Sequence, residues 1–165
     1  MRLTKQSNYA VRALMYCAAN GSNLCRIRDI GDAFGVSEMF LFKILVPVVR
    51  SGLLETIRGR NGGVRLGAPA DQISVMDVLR VTEDDFDLTE CQKEKCAHCP
   101  LGQKCVYETA LGQAMQAFAE VLGTYTIADL VADTEGVAAA FGLYKSAPRT
   151  GDGWFPKPII TRSKS

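Results

Sequence analysis

The stretch Leu53-Leu54-Glu55-Thr56-Ile57-Arg58-Gly59-Arg60-Asn61-Gly62-Gly63-Val64-Arg65-Leu66 decides the fold. Leu53–Arg58 and Val64–Leu66 are short runs with strand character, and Gly59-Arg60-Asn61-Gly62-Gly63 joins them. Asn-Gly between two such runs is a strong hairpin signal, because both residues tolerate the positive φ that a tight hairpin turn requires. The glycines connect two β-runs rather than a strand and a helix, so a phosphate-binding loop fails its context test. The hairpin tip and return strand carry Arg58, Arg60 and Arg65.

Upstream, the period is helical. Ala10, Leu14, Cys17 and Ala18 form one apolar stripe, widened by Val11 and Met15, in a helix from Thr4 to about Asn20. A short helix follows over Ile27–Phe34, and Gly35 permits a sharp turn. Ser37 is the N-cap of a third helix with Glu38 in its first turn and Phe40, Leu41, Ile44, Leu45 and Val48 on its buried side. Pro47 should kink that helix or end its regular part. Helix, short helix, turn, helix and hairpin is the order of a winged helix-turn-helix. The expected class is mainly α with one small β-hairpin.

Downstream, Ser74 starts a fourth helix that runs to about Thr82, with Asp77 as a near capping box and Ile73 and Val78 as a hydrophobic staple. From Lys104 to about Thr126 the helical period returns. Tyr107, Leu111, Ala114, Phe118, Val121 and Tyr125 step alternately by four and three, a heptad seam for another helix. The alternative is a helix packed only on its own domain, but a small winged domain cannot cover a rod about 30 Å long. A last short helix is expected over Ile127–Ala132, and Ala138–Tyr144 is apolar but weakly patterned. The expected organisation is a winged domain over 1–80, a cysteine-rich loop over 81–106, a dimerisation region over 104–132 and a disordered tail over 146–165, where Trp154 and Phe155 either dock on a partner or lie loosely on the surface.

Of 165 residues, 47% are apolar and 22% charged, which permits a packed core and excludes wholesale disorder. No apolar run approaches the roughly 18 residues of a membrane span, and Arg12 interrupts the apolar stretch at the N-terminus, so a cytoplasmic protein is expected. The net charge of +1 hides an asymmetry: residues 1–80 hold eleven Lys/Arg against six Asp/Glu, and the remainder holds eight against twelve. A basic first half suits a polyanion.

On this reading the third helix enters the major groove of DNA by its N-terminal end. Ser37, Glu38, Met39, Phe42 and Lys43 lie off its buried stripe. Lys43 can reach a phosphate or a guanine, Ser37 and Ser51 can hold backbone oxygens, and Met39 and Phe42 can meet a thymine methyl. Arg58 or Arg60 fits a narrowed minor groove. Arg2, Lys5, Arg12 and Arg50 would neutralise flanking phosphates. The alternative is a winged helix used for protein contacts, with these arginines solvated.

Cys91, Cys96, Cys99 and Cys105 fall within fifteen residues, near His98. In a reducing compartment such a cluster points to metal or redox chemistry. A structural four-thiolate zinc site and an iron–sulfur cluster both suit these soft donors, with a disulfide switch a third alternative. Cys17 and Cys25 read as structural; Cys25 has no partner visible in the sequence. No nucleophile–base pair suggests catalysis, so an enzyme is not expected.

Met1-Arg2-Leu3-Thr4, Asn8-Tyr9-Ala10, Leu14-Met15-Tyr16, Val36-Ser37, Gly52-Leu53 and, above all, Arg58-Gly59 through Asn61-Gly62-Gly63-Val64-Arg65-Leu66 resemble the Rrf-type winged-helix transcription regulators. The resemblance covers about residues 1–130. Leu41-Phe42-Lys43-Ile44-Leu45 and Val81-Thr82-Glu83-Asp84 look most like the family's rhizobial iron regulators. The resemblance implies a homodimer crossed through the long helix, bound to double-stranded operator DNA, and an iron–sulfur cluster held by Cys91, Cys99 and Cys105. It implies a [4Fe-4S] cluster when iron is plentiful, repression of iron-uptake genes, and release of DNA when the cluster degrades. Other members sense nitric oxide or redox state through such a cluster. Three residues depart from the pattern. Cys96 is an extra thiol, either a further ligand or a bystander. Asn8 replaces the acidic ligand of the nitric-oxide sensors and is a poor donor to iron. Phe42 replaces an acidic base-reading residue, so the operator should differ.

Overall fold

The computed structural model describes residues 3–60, 62–86 and 105–143. Arg2, Asn61, Cys91, Cys96, His98, Cys99 and the expected disordered tail lie outside the described residues.

Helix α1, Lys5–Ala19, begins where the Thr4 side chain accepts a hydrogen bond from the Ser7 N–H. Its apolar stripe is the centre of the core: Ala10, Ala13 and Leu14 are fully buried, and Cys17 nearly so. Helix α2, Ile27–Phe34, has the expected bounds and ends at Gly35, whose φ of 65° is strained for residues with a Cβ. The turn then places Ser37, whose Oγ accepts from the Phe40 N–H at 3.2 Å, as the N-cap of α3, Glu38–Arg50. Pro47 does not end the helix, which continues to Arg50. A proline this near the C-terminus removes one interior hydrogen bond, while Leu41, Ile44, Leu45 and Val48 hold the helix against the core. Each fully buried aliphatic side chain contributes roughly 1.5–3 kcal/mol, enough to offset a local backbone defect.

Strands β1, Leu54–Ile57, and β2, Gly63–Leu66, pair antiparallel with Leu54 opposite Leu66 and Ile57 opposite Gly63. Strand β1 is one residue shorter at each end than the pattern reading, and β2 begins one residue earlier, since hydrogen bonding rather than side-chain type sets strand ends. Cys25 adds a minimal third strand: its N–H donates to the Val64 carbonyl at 2.9 Å, and the Val64 N–H donates back at 2.8 Å. The hairpin is thereby bonded to the segment that enters α2.

A 3-10 turn, Ala70–Gln72, leads to α4, Val75–Thr82. Here Ser74 and Asp77 form a complete capping box, and the staple residues Ile73 and Val78 are both fully buried. Helix α5, Val106–Thr124, is the long rod. Beyond it the chain returns to the winged domain. The Ile127 N–H donates to the Ile73 carbonyl and the Val75 N–H to the Tyr125 carbonyl, both at 2.8 Å. Helix α6, Ile127–Leu130, packs on α1 with Ile127 fully buried.

Residues 134–140 form a further helix, α7, that weak patterning did not reveal. Asp133 starts it by accepting from the Gly136 N–H, and Phe141 then sets its ring 5.6 Å from Tyr16 and 5.3 Å from Phe34. Packing on α1 and α2, rather than amphipathic period, fixes this helix.

A Cβ placed on Gly63 would stand 2.6 Å from the Cys25 carbonyl oxygen, backbone that cannot yield without breaking the bridge. Gly63→Ala should therefore destabilise the protein by about 1–3 kcal/mol in urea unfolding. An unchanged midpoint would mean that the bridge does not hold the hairpin.

Candidate nucleic-acid interface and cysteine loop

The first turns of α3 face outward beside the hairpin. Met39 is 70% exposed and Phe42 57%, large apolar side chains that the core does not use. Lys43 is exposed beside them, and the Ser37 hydroxyl, which accepts from the helix backbone, keeps its own proton to donate. An open cleft of about 420 Å³ lies between the start of α2, the start of α3 and the hairpin, lined among others by Arg26, Arg28, Glu38, Thr56 and Arg60. Arg58 and Arg60 are exposed at the hairpin tip. Arg26 and Arg28 are additions to the residues singled out by pattern. Their signal, two bases at the start of α2, was visible but had no geometric context. Arg28 lies 3.9 Å from Asp32, with both side chains largely solvated, a pair too weak to withdraw it from a polyanion.

Other cations are engaged differently. Arg65 stands opposite Glu55 in the hairpin register, and its Nε donates to the carboxylate at 2.8 Å. Arg12 lies over the rings of Tyr9 and Phe34, 5.6 and 5.7 Å from their centroids, a cation–π arrangement that ties α1 to α2. Lys5 and Arg50 remain exposed, and the Ser51 hydroxyl donates to the Val48 carbonyl at 2.9 Å.

Of the loop cysteines, Cys105 is described. It is a half-buried free thiol at the N-cap of α5, and its side chain makes no capping hydrogen bond, so the sulfur is not committed to the helix. A cysteine sulfur here is a soft donor of the kind that suits a soft metal or an iron–sulfur cluster. Among the described residues no group of three or more His, Cys, Asp or Glu is placed to hold a metal ion.

The other end of the loop is attached to α1. Oε1 of Glu83 accepts from the Thr4 N–H at 2.7 Å, the Thr4 hydroxyl at 3.1 Å and the Ser7 hydroxyl. Ser7 is fully buried and also accepts from the Thr82 hydroxyl at 2.8 Å. Helix α1 has no acidic residue in its own first turn, so Glu83 supplies the negative charge its N-terminus favours. Burial by itself would raise the Glu83 carboxyl, but the hydrogen bonds from Ser7 and Thr4 outweigh it and hold the group below the ordinary glutamate range.

Helix α5 has no buried residue. Along its heptad seam Tyr107 is 66% and Val121 55% exposed, and Leu111, Phe118 and Tyr125 are only half-buried. No helix among the described residues is long and apolar enough to cross a membrane.

A family profile described as "Rrf2: Iron-dependent Transcriptional regulator" matches residues 3–133. The chain is 57% identical over 143 residues to Protein aau3 of Rhizobium meliloti (strain 1021), spanning 87% of this chain and 93% of that one. It is 38% identical over 138 residues to the HTH-type transcriptional regulator NsrR of Bacillus licheniformis, spanning 83% and 96%. Among solved structures, T. potens IscR matches with a TM-score of 0.64 at 24% identity over 82% of this chain and 90% of that one, a likeness of fold.

The Glu83 attachment has a definite pH signature. Its folded pKa lies below the unfolded value, so its stabilisation is complete above the unfolded pKa of about 4.3 and is lost as pH falls through the folded value. The melting temperature of Glu83→Gln should lie below that of the wild type at pH 7, and the gap should close on acidification below pH ~4. A gap independent of pH would refute the charged contact.

Proposed function

The chain belongs to the Rrf2 family of transcription regulators, which bind DNA and are not enzymes, and from that membership we propose that it is an iron-responsive repressor of iron-uptake genes. Its affinity for operator DNA is governed by a labile iron–sulfur cluster, a [4Fe-4S] centre, on Cys91, Cys99 and Cys105, in the cytoplasm. The observation that carries the reading is the attachment of the cysteine segment at its two ends. Glu83, eight residues before Cys91, is bonded to α1, and Cys105 starts α5. A change in that segment is therefore felt both by the central helix of the winged domain and by the rod that meets a second copy. When bound, the cluster supplies a tie whose persistence depends on iron and on the absence of oxidants.

The chain's own residues do the rest. The face of α5 carrying Tyr107, Leu111, Ala114, Phe118, Val121 and Tyr125 joins two copies in a homodimer and sets two α3 helices near the ~34 Å repeat of a palindromic operator. Ser37 and Lys43 hold the backbone or a guanine edge, Met39 and Phe42 meet thymine methyls, and Arg58 and Arg60 enter the minor groove. Arg2, Lys5 and Arg65 neutralise phosphates, Arg65 after exchanging Glu55 for DNA. Release of the loop shifts the dimer toward spacings that do not fit the operator.

Zinc on the four loop cysteines is a second reading, favoured by the additional thiol Cys96. Iron and acid-labile sulfide in anaerobically purified protein support the cluster; colourless protein with zinc supports the rival. Cys99→Ala should lose the visible absorbance and bind operator about tenfold or more weakly. Full operator binding by that variant would contradict cluster control. Arg60→Ala should lower affinity most for sites with a narrow minor groove and reduce the salt slope by about one, checked by titration at several salt concentrations. Phe42→Ala should instead relax discrimination at one base pair, checked by binding-site selection.

A further inference from the structure

The cleft between α2, α3 and the hairpin carries charge that the contacts proposed above leave unassigned. Arg26 and Arg28 line it from the start of α2 and Arg60 from the hairpin, against one carboxylate, Glu38, in the first turn of α3. All four residues are exposed. Among the described residues Arg26 and Arg60 make no ion pair, and Arg28 holds only the solvated contact to Asp32 at 3.9 Å. The acids of α2, Asp29 and Asp32, do not line the cleft.

Arg26 and Arg28 are two residues apart, a spacing that within a helix turns side chains to different faces. Arg26 escapes that rotation because it is the N-cap residue, with extended backbone at φ −78° and ψ 137°. The walls are also fixed relative to one another. The backbone bridge between Cys25 and Val64, at 2.9 and 2.8 Å, holds the segment just before Arg26 on the hairpin. The Val36 N–H donates to the Gly31 carbonyl at 2.9 Å, and a Cβ on Gly31 would stand 2.7 Å from the Val36 carbonyl oxygen, so α2 and the turn into α3 are closed on each other. Arg26 and Arg28 are therefore presented by a preorganised frame.

We propose that this cleft seats the sugar–phosphate strand that separates the two grooves, and that Arg26 and Arg28 are positioning residues that clamp its phosphates. A domain that enters the major and the minor groove of one duplex with two different elements must straddle the strand between those grooves. With α3 in the first groove and the hairpin tip in the second, the gap between them is this cleft. The phosphates of that strand, one every ~3.4 Å along the axis, run through it. A guanidinium fork bonds two phosphate oxygens at once, which fixes position as well as neutralising charge. Arg28 gives up only a weak solvated pair in exchange. Glu38 repels the strand from the α3 wall, so its phosphates settle toward α2. Helix α2 reads no base, yet by holding the strand it sets how deeply α3 and Arg60 enter their grooves. The inference rests on the placement of α3 and the hairpin in the two grooves and not on the cluster.

The test uses the full chain and a duplex that it selects from a random pool. Arg26→Ala and Arg28→Ala should each weaken binding to all sequences alike and flatten the plot of log affinity against log salt by about 0.9 per bound chain. The deficit of each should then shrink about 3.5-fold between 50 and 200 mM salt. Arg26→Lys and Arg28→Lys should recover the slope, because they keep the charge, and recover the affinity only in part, because they lack the fork. Replacing single phosphates by uncharged methylphosphonates locates the contact. At about one or two positions of each half-site, on the strand between the grooves, the replacement should weaken the wild type but not the Arg26→Ala/Arg28→Ala double variant. Wild-type salt slopes in the alanine variants, or methylphosphonates that weaken wild type and double variant equally at every position, would each overturn the seat. A chain that selects no duplex, or Phe42→Ala and Arg60→Ala variants that bind as the wild type does, would overturn the placement in the grooves itself.

Discussion

Small side chains on α1 set how closely everything else can approach. Ala10 and Ala13 are fully buried beside Leu14, and α3, α4, α6, α7 and β2 all pack against this one helix. An alanine face permits short interhelical distances, and larger residues on the partners, Leu41, Ile44, Leu45 and Val78, then fill the space. The exposed face of α3 is a consequence. With its apolar stripe committed to α1, its remaining residues, Met39, Phe42 and Lys43, can only face out.

The same arrangement joins parts of the chain that have different tasks. Glu83 bonds the start of the cysteine segment to the N-terminus of α1, Arg12 stacks α1 onto α2, and Cys25 bonds the entry to α2 onto the hairpin. These are polar and directional contacts on a rigid apolar centre. A small displacement at one of them is passed on rather than absorbed, because a close-packed core deforms little. The rod α5 differs: it has no buried residue.

Much of the fold was legible in local chemistry. Ser37, Ser74 and Gly35 act within three or four residues of themselves, and each does in the structure what its type and spacing imply. Period alone was less informative where packing dominates. Helix α7 has little amphipathic pattern and forms because Phe141 finds Tyr16 and Phe34. Cys25 had no visible partner because its backbone partner, Val64, belongs to a strand far along the chain. The cations of the candidate interface could be counted in the sequence, but their states could not. Arg65 is paired, Arg12 is stacked, and Arg26 and Arg28 line a cleft whose three walls are separate segments.

The sequence by itself determined the order of helices and hairpin in the winged domain, the caps at Ser37 and Ser74, and the family, because these depend on neighbours a few residues apart. Tertiary structure decided which charges stand free and where the cysteine segment is fastened. Thr4 and Glu83 are 79 residues apart, and no periodicity links them. Their contact exists only because the alanine face of α1 draws α4 close enough for one carboxylate to reach a helix start.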